Sequence, residues 1–242
     1  MSTAPVLAVR DLEVRYGRAH ALAGITFDVP VNSALAVLGS NGAGKSTLAR
    51  ALSGLVPTVR GAVELDGRDI TRLPPEQIRR AGLVHLPEGR GVFPTLTVLE
   101  NLRMATVGNR QQSAEAIEKA FEIFPVLGQR QRQAAGTLSG GEQQMLSLAR
   151  ALMVQPRLVI ADELSLGLAP KMVDLVFESL GRARAAGVSV ILIEQFANRA
   201  LAFADRCLIL QRGRAAWTGA TDQAGDELLR RYLGDTTGVA TG

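Results

Sequence analysis

Gly39-Ser40-Asn41-Gly42-Ala43-Gly44-Lys45-Ser46-Thr47 is the stretch from which the fold is read. It fits the pattern G-x-x-x-x-G-K-S/T, in which a glycine-rich loop turns successive backbone N–H groups onto phosphate oxygens. The flanks agree. Ala34-Leu35-Ala36-Val37-Leu38 reads as a buried strand, and Ser46 to Leu55 as a helix with Leu48, Ala51, Leu52 and Leu55 on one face. The glycines permit the tight turn. The helix start adds unpaired donors and the positive end of the helix dipole. Lys45 supplies a compact cation for β- and γ-phosphates, and the Ser46 hydroxyl a ligand for Mg²⁺. A plain glycine-rich turn before an ordinary helix would not need lysine, hydroxyl, strand and helix together.

Leu158-Val159-Ile160-Ala161-Asp162-Glu163 is an apolar strand that ends in two carboxylates. Asp162 can hold Mg²⁺ through its water shell, and Glu163 can polarise a water for in-line attack on a γ-phosphate. Neighbours on an extended strand point to opposite faces, so two roles are expected. Such a run is by itself an ordinary strand end; the loop at 39–47 gives it meaning. A third piece, Leu138-Ser139-Gly140-Gly141-Glu142-Gln143-Gln144, opens a helix that reaches Val154. Ser139 is a natural N-cap, and the paired glycines expose backbone N–H groups beside the helix dipole. A plain cap with a permissive double glycine would look the same. Two phosphate-binding helix starts in one chain suit ATP sandwiched between two chains. A single-site kinase would instead need an acceptor site.

With 242 residues, 47% of them hydrophobic, the chain suits one large domain with a substantial core. The net charge of +4 is spread along the chain with no basic block, so no nucleic-acid partner is expected. One cysteine, Cys207, sits beside Leu208-Ile209-Leu210, reads as a core residue and fits a reducing compartment. Met1-Ser2-Thr3-Ala4-Pro5 lacks the features of a signal peptide, and no apolar run reaches a membrane span's length of about 18 residues. The expectation is a cytosolic protein, held at a membrane only by other subunits.

Strand candidates at 6–16, 25–29 and 62–65, the last entering an Asp66-Gly67 turn, suggest an antiparallel β layer beside the loop strand. A short helix near 76–81 and a strand at 82–86 follow. Helices at 97–106, 113–124 and 142–154 make a helical block over about 87–157. After the strand at 158–163 come a helix at 171–186, a strand at 188–193, a helix near 197–203, strands near 207–211 and 214–218, a helix near 223–233 and a loose tail, 234–242. The expected fold is α/β: a single domain with a parallel-sheet core (about 1–86 and 158–233), an antiparallel β layer and an inserted helical subdomain (about 87–157).

Together the stretches at 39–47, 138–144 and 158–163 resemble the ATP-binding subunits of ABC (ATP-binding cassette) transporters, over nearly the whole chain. The resemblance implies a P-loop ATPase that uses ATP and Mg²⁺. It places Tyr16 on the adenine ring, although a half-buried strand tyrosine would read the same way. It turns Ser139, Gly140, Gly141 and Glu142 toward the ATP of a partner chain, and assigns Ser165-Leu166-Gly167-Leu168 to communication between the two sites. Three positions depart from the common pattern. Ala169 stands where many members have aspartate. Glu88 replaces a glutamine that ligates Mg²⁺. Gln195 replaces a catalytic histidine at the γ-phosphate, and an amide can donate a hydrogen bond but cannot carry the proton.

Pro87-Glu88-Gly89-Arg90, Val92-Phe93-Pro94-Thr95-Leu96-Thr97-Val98-Leu99-Glu100-Asn101-Leu102, Leu166-Gly167-Leu168-Ala169-Pro170 and Glu194-Gln195 are similar to one branch, the LivF type of branched-chain amino-acid importers. That branch implies a second ATPase subunit of the LivG type, two membrane permease subunits, an extracytoplasmic solute-binding protein, and a place on the cytoplasmic face of the inner membrane. Importers of urea and amides use similar subunits, and a soluble, non-transport cassette is a more distant alternative. The isolated chain could also pair with itself. Residues 88–102 are expected to dock on the membrane subunit, with Val92, Phe93 and Leu96 either in that surface or in the core of the helical block.

Overall fold

The computed structural model of the protein describes residues 4–89, 91–105, 109–194 and 197–225. The chain opens with β1 (Leu7–Tyr16), β2 (Ala19–Val29), β3 (Ala34–Leu38), α1 (Lys45–Leu52), β4 (Arg60–Leu65) and β5 (Arg68–Asp69). β1, β2, β4 and β5 form an antiparallel sheet in the order β2-β1-β4-β5. β2 is much longer than the expected 25–29, because its first half alternates poorly: Ala19, His20 and Gly24 face solvent there. A shift of register between Val9 and Leu12, with Asp11 at φ 47°, lets both apolar residues reach the interior. α1 stops three residues short of the expected Leu55. Gly54, at φ +70°, turns the chain, and Leu55 is exposed.

Next come α2 (Pro75–Ala81), β6 (Leu83–Leu86), α3 (Val98–Ala105), α4 (Arg110–Ile123), α5 (Pro125–Gln129), α6 (Gly140–Leu152) and β7 (Leu158–Asp162). α5 was not expected; Pro125 at its first turn starts it. The remaining described elements are α7 (Pro170–Ala185), β8 (Ser189–Ile193), α8 (Ala197–Phe203), β9 (Arg206–Gln211) and β10 (Arg214–Ala220). The expected helix at 223–233 and the tail lie largely or wholly outside the described residues. The second sheet runs β10-β9-β3-β8-β7-β6, parallel from β9 to β6, with β10 antiparallel at the edge. The α/β reading holds in both of its parts, the parallel core and the antiparallel layer.

The central parallel strands β3, β7 and β8 are buried at every position because both of their faces are covered. Leu35, Val37, Leu158, Ile160, Ile191 and Ile193 point into a core shared with α1 and the antiparallel sheet. Their neighbours Ala36, Leu38, Val159, Ala161, Val190 and Leu192 point into a core shared with α3, α6 and α7. Cys207 belongs to this second core, fully buried, and burial pushes its thiol up to about 12. The block between β6 and β7 therefore packs on the main sheet and shares its core.

One buried polar residue organises the entry to that block. Asn101 is completely buried on α3. Its Oδ1 accepts from the Phe93 N–H at 2.8 Å, and its Nδ2 lies 2.9, 3.2 and 3.0 Å from the carbonyl oxygens of Phe93, Leu96 and Thr97. It gives the Phe93 N–H an acceptor and adds a second donor to carbonyls that already accept from the backbone N–H groups of Leu96, Ala135 and Asn101. Asn101→Ala should destabilise the protein by about 1–3 kcal/mol, because it leaves the Phe93 N–H without its partner. A shift of the urea midpoint by less than the error of the measurement would show that the loop finds that partner elsewhere.

Candidate functional site

In an open parallel sheet, ligands meet the carboxyl ends of the strands, where the strand order reverses. β3, flanked by β9 and β8, lies at such a reversal, and the residues singled out from the sequence gather at this end. β3 leads directly into Gly39. Gly39 has no room for a side chain: a Cβ there would lie 2.6 Å from the Leu210 carbonyl oxygen and 2.9 Å from the Ala43 Cβ. Gly44 sits at φ +110°, against the Leu22 side chain and the Ala21 carbonyl. Gly42, at φ +79°, opens onto free space. Ala43 is buried, while Ser40 and Asn41 are exposed and Ser46 and Thr47 partly so.

The loop is wound on itself. The Ala43 N–H donates to the Ser40 carbonyl at 3.0 Å. Lys45 is buried, and its Nζ donates to the Gly39 carbonyl at 2.9 Å, with the Ser40 carbonyl at 3.4 Å. α1 has no side-chain cap and no acidic residue in its first turn. The Leu48 N–H bonds back to Gly44 at 2.9 Å, so the amides ahead of it have no acceptor within the helix. An ammonium group, free amides and a helix dipole together make an anion site.

A partner of the loop was not foreseen. Arg212 and Gly213 form the β9–β10 turn at φ 48° and 74°. The Gly213 N–H donates to the Ala43 carbonyl at 2.9 Å, and its own carbonyl accepts from the Ala23 N–H at 2.8 Å. That turn thus ties the loop to β2. Tyr16 ends β1, pairs with Ala19 of β2 and is 49% exposed, a placement that suits both the adenine stack and the plain strand tyrosine.

β7 delivers Asp162 and Glu163, and here the expectation of an extended pair is corrected. Glu163 is at φ 50°, off the strand, its N–H donating to the Ile193 carbonyl at 2.9 Å. The left-handed turn, and no simple alternation of faces, separates the two carboxylates. Asp162 is 2% exposed, and its Oδ1 is a buried oxygen with no hydrogen-bond partner among the described residues. Its Oδ2 lies 3.8 Å from the Nε2 of His85, a buried β6 imidazole that the sequence did not mark. Glu163 is partly buried, and its carboxyl is held above the usual range chiefly by that burial. The Lys45 charge acts against this, while Glu88, in the exposed loop after β6, and Asp162 add to it. Glu88 and Asp162 thus act on the Glu163 carboxyl in the same sense, against the ammonium of Lys45.

An orphaned carboxylate oxygen beside other carboxylates fits a cation. Among the described residues no group of three His, Cys, Asp or Glu side chains is placed to hold a metal by itself. Mg²⁺ keeps waters and takes phosphate oxygens as ligands, so it would need few ligands from the chain itself. Gln195 lies outside the described residues. Its neighbour Glu194 is buried and bound to Ser165. Ala169, in place of aspartate, is the N-cap of α7 and has no side chain with which to cap it.

The third motif starts α6. Ser139 caps it as expected: its Oγ accepts from the Glu142 N–H at 3.3 Å, and Glu142 Oε2 accepts from the Ser139 N–H at 2.8 Å. Glu142 Oε1 meets Arg130 Nε at 3.0 Å. The Glu142 carboxylate thus serves its own helix start. Gly140 is partly exposed. Gly141 is buried, and a Cβ there would fall 2.2 Å from the Met172 Cε and 2.9 Å from its Cβ. Its lack of a side chain admits α7, a packing role invisible in the sequence.

A cavity of about 970 Å³ lies at the other end of the sheet, lined by Arg79, Lys119, Arg157 and Arg182. The carboxyl ends of α2 and α7 point there, and their dipoles disfavour phosphate despite the cations. The nucleotide motifs stay at the opposite end.

A glycine-cradled phosphate loop, a strand-end carboxylate pair and a capped second helix start define a P-loop nucleotide hydrolase. The sequence profile described as ABC transporter matches residues 22–165. The chain is 40% identical to the high-affinity branched-chain amino acid transport ATP-binding protein BraG of Pseudomonas aeruginosa, over 95% of this chain and all of that one. It is 36% identical to the probable branched-chain amino acid transport ATP-binding protein LivF of Archaeoglobus fulgidus, over 90% and 93%. A crystal structure of the ADP conformation of an ATP-binding cassette from an ABC transporter superposes with a TM-score of 0.81 at 27% identity, covering 96% of each chain. The chain belongs to the ABC transporter family, as one of its ATP-binding, ATP-hydrolysing subunits.

Two outcomes check this geometry. Gly141→Ala should lower stability by about 1–3 kcal/mol through overpacking against Met172, and adding Met172→Ala should recover part of it. Equal losses in the single and double variants would place the strain elsewhere. For Glu163, a raised folded-state pKa means that ionisation costs the folded protein. The cost is absent below the unfolded carboxylate pKa, about 4.3, and fully present once pH passes the folded value. Without nucleotide, Glu163→Gln should therefore raise the thermal midpoint at pH 7, and the gain should vanish toward pH 4. A gain independent of pH would contradict the crowded-carboxylate picture.

Proposed function

We propose that this chain is the ATPase subunit that powers an importer of branched-chain amino acids. The 40% identity to BraG across that protein's full length carries the reading. The Pro87–Leu102 and Glu194-Gln195 stretches agree with it. Tyr16 stacks on adenine. Gly39 to Thr47 hold the phosphates, with Lys45 leaving its loop carbonyls for the β- and γ-oxygens. Ser46, Glu88 and Asp162 would hold Mg²⁺, whose charge offsets that of the phosphate oxygens. Glu163 orients the attacking water and accepts its proton, a task helped by a pKa nearer neutrality. Gln195 donates to the γ-phosphate. Ser139, Gly140 and Gly141 offer donors to the ATP of a second chain, while Glu142 holds their helix start in place.

The second chain is a different ATPase of the LivG type. Pseudomonas aeruginosa has a separate branched-chain amino acid transport ATP-binding protein, BraF, 30% identical to this chain. Two permease subunits and an extracytoplasmic binding protein complete the assembly. No helix among the described residues is long and apolar enough to cross a membrane, so attachment to the inner membrane runs through the permeases. The segment at 88–102 docks there. The exposure of Phe93 supports its place in that surface, whereas Val92 packs against the core. Residues of about 87–157 act as the subdomain that carries this docking surface.

Lys45→Ala should abolish ATP hydrolysis by the purified protein. Host cells with Glu163→Gln at the native locus should lose uptake of labelled leucine at low concentration, and the unaltered chain should restore it. Unchanged uptake in cells without a redundant system would move the substrate to urea, an amide or another small solute. Undiminished hydrolysis by Lys45→Ala would remove the phosphate-loop assignment itself.

A further inference from the structure

We propose that Glu194 is a positioning residue for hydrolysis, its buried carboxylate gripping Ser165 and so fixing the turn that aims Glu163. The proposal rests on the reading of Glu163 as the group that activates water. Glu194 follows β8 directly and is 2% exposed. Its Oε2 accepts from the Ser165 hydroxyl at 2.6 Å, and its Oε1 from the Ser165 N–H at 3.2 Å. One residue earlier, the Ile193 carbonyl accepts from the Glu163 N–H. The end of β8 thus holds residues 163 and 165, on either side of buried Leu164.

The rest of the segment supplies little else. Leu166 and Gly167 are exposed. The Leu166 N–H bonds back to Glu163 and the Leu168 N–H to Ser165, each at 3.2 Å, which are contacts within the turn. Glu163 meanwhile stands at φ 50°, a conformation that only its surroundings can impose on a non-glycine residue. Hydrogen bonds to a carboxylate are among the stronger ones available, and here two of them converge on a single residue. Displacing a reacting group by about 1 Å can cost up to about 100-fold in rate. A merely structural bond would affect stability and leave the turnover of folded protein alone.

The test uses the full chain with Mg-ATP and the variants Ser165→Ala, Glu194→Gln, their combination, and Glu163→Gln as reference. Turnover, equilibrium affinity for Mg-ATP and thermal midpoint are measured for each, with turnover read well below every midpoint. Ser165→Ala should lower kcat roughly 10- to 100-fold, with affinity changed less than about twofold. Glu194→Gln keeps one acceptor and should fall between Ser165→Ala and the unaltered chain. The combined variant should be no slower than the slower single one, because both act through one contact. Normal turnover by Ser165→Ala, or a loss of affinity that accounts for its slower rate, overturns the proposal. If Glu163→Gln is inactive while Ser165→Ala is normal, the clamp alone fails. If Glu163→Gln hydrolyses normally, the assignment of Glu163 fails and takes the clamp with it.

Discussion

The structure depends first on a shortage of space beneath the phosphate loop. A side chain at Gly39 would strike the Leu210 carbonyl of β9, and one at Gly44 would strike Leu22 and the Ala21 carbonyl of β2. The parallel pairing of β3 with β9 and the packing of the antiparallel sheet bring these backbones together. The β9–β10 turn then closes the arrangement, with Gly213 bonded to Ala43 on one side and Ala23 on the other. Two sheets and a hairpin thus press on one loop, which exposes its amides toward the open side at Gly42. Phosphate oxygens meet a surface already formed, so little ordering entropy opposes their binding.

Legibility in the sequence followed burial and chain distance. β3 was read residue for residue, because an apolar run covered on both faces and stopped by a glycine leaves little choice. The same logic found β7 and β8 to within a residue. It failed at β2, whose first half lies on a partly solvated edge and carries no clean alternation. α5 escaped because five residues are too few to establish a period. In the candidate site, residues local in sequence were legible: the loop, Asp162 and the Ser139 cap. What the sequence hid were contacts across the fold, such as Gly213 with Ala43, Met172 against Gly141, and His85 beside Asp162. Local pattern carries no record of which distant residue fills a gap.

The second helix start shows how one motif serves two demands. Ser139 and Glu142 satisfy each other's backbone donors, and Arg130 balances the remaining carboxylate oxygen. The Glu142 carboxylate is thereby committed within the chain, while the Ser139 hydroxyl, which accepts in the cap, keeps its proton to donate, and the backbone at Gly140 and the positive end of α6 remain available to an outside anion. α6 is buried along most of its length, and from its other end Arg150 reaches the Gly91 carbonyl and lies 4.8 Å over the Phe93 ring. Burial, and then nearby Arg79, depress the Arg150 pKa. One helix therefore joins the Ser139 start to the segment that follows Glu88.

The carboxylates explain why such a site would bind its nucleotide together with a cation. Burial first, and then the charges of Glu88 and Asp162, push the Glu163 carboxyl toward its neutral form against the pull of Lys45. Asp162 adds a buried oxygen that finds no donor among the described residues. ATP alone would bring more negative charge to these carboxylates and worsen the repulsion. A divalent cation arriving with the phosphates would offset part of that charge and give the Asp162 oxygen a partner, so the electrostatic cost carried by the carboxylates would become selectivity for the complete Mg-ATP complex over either component alone.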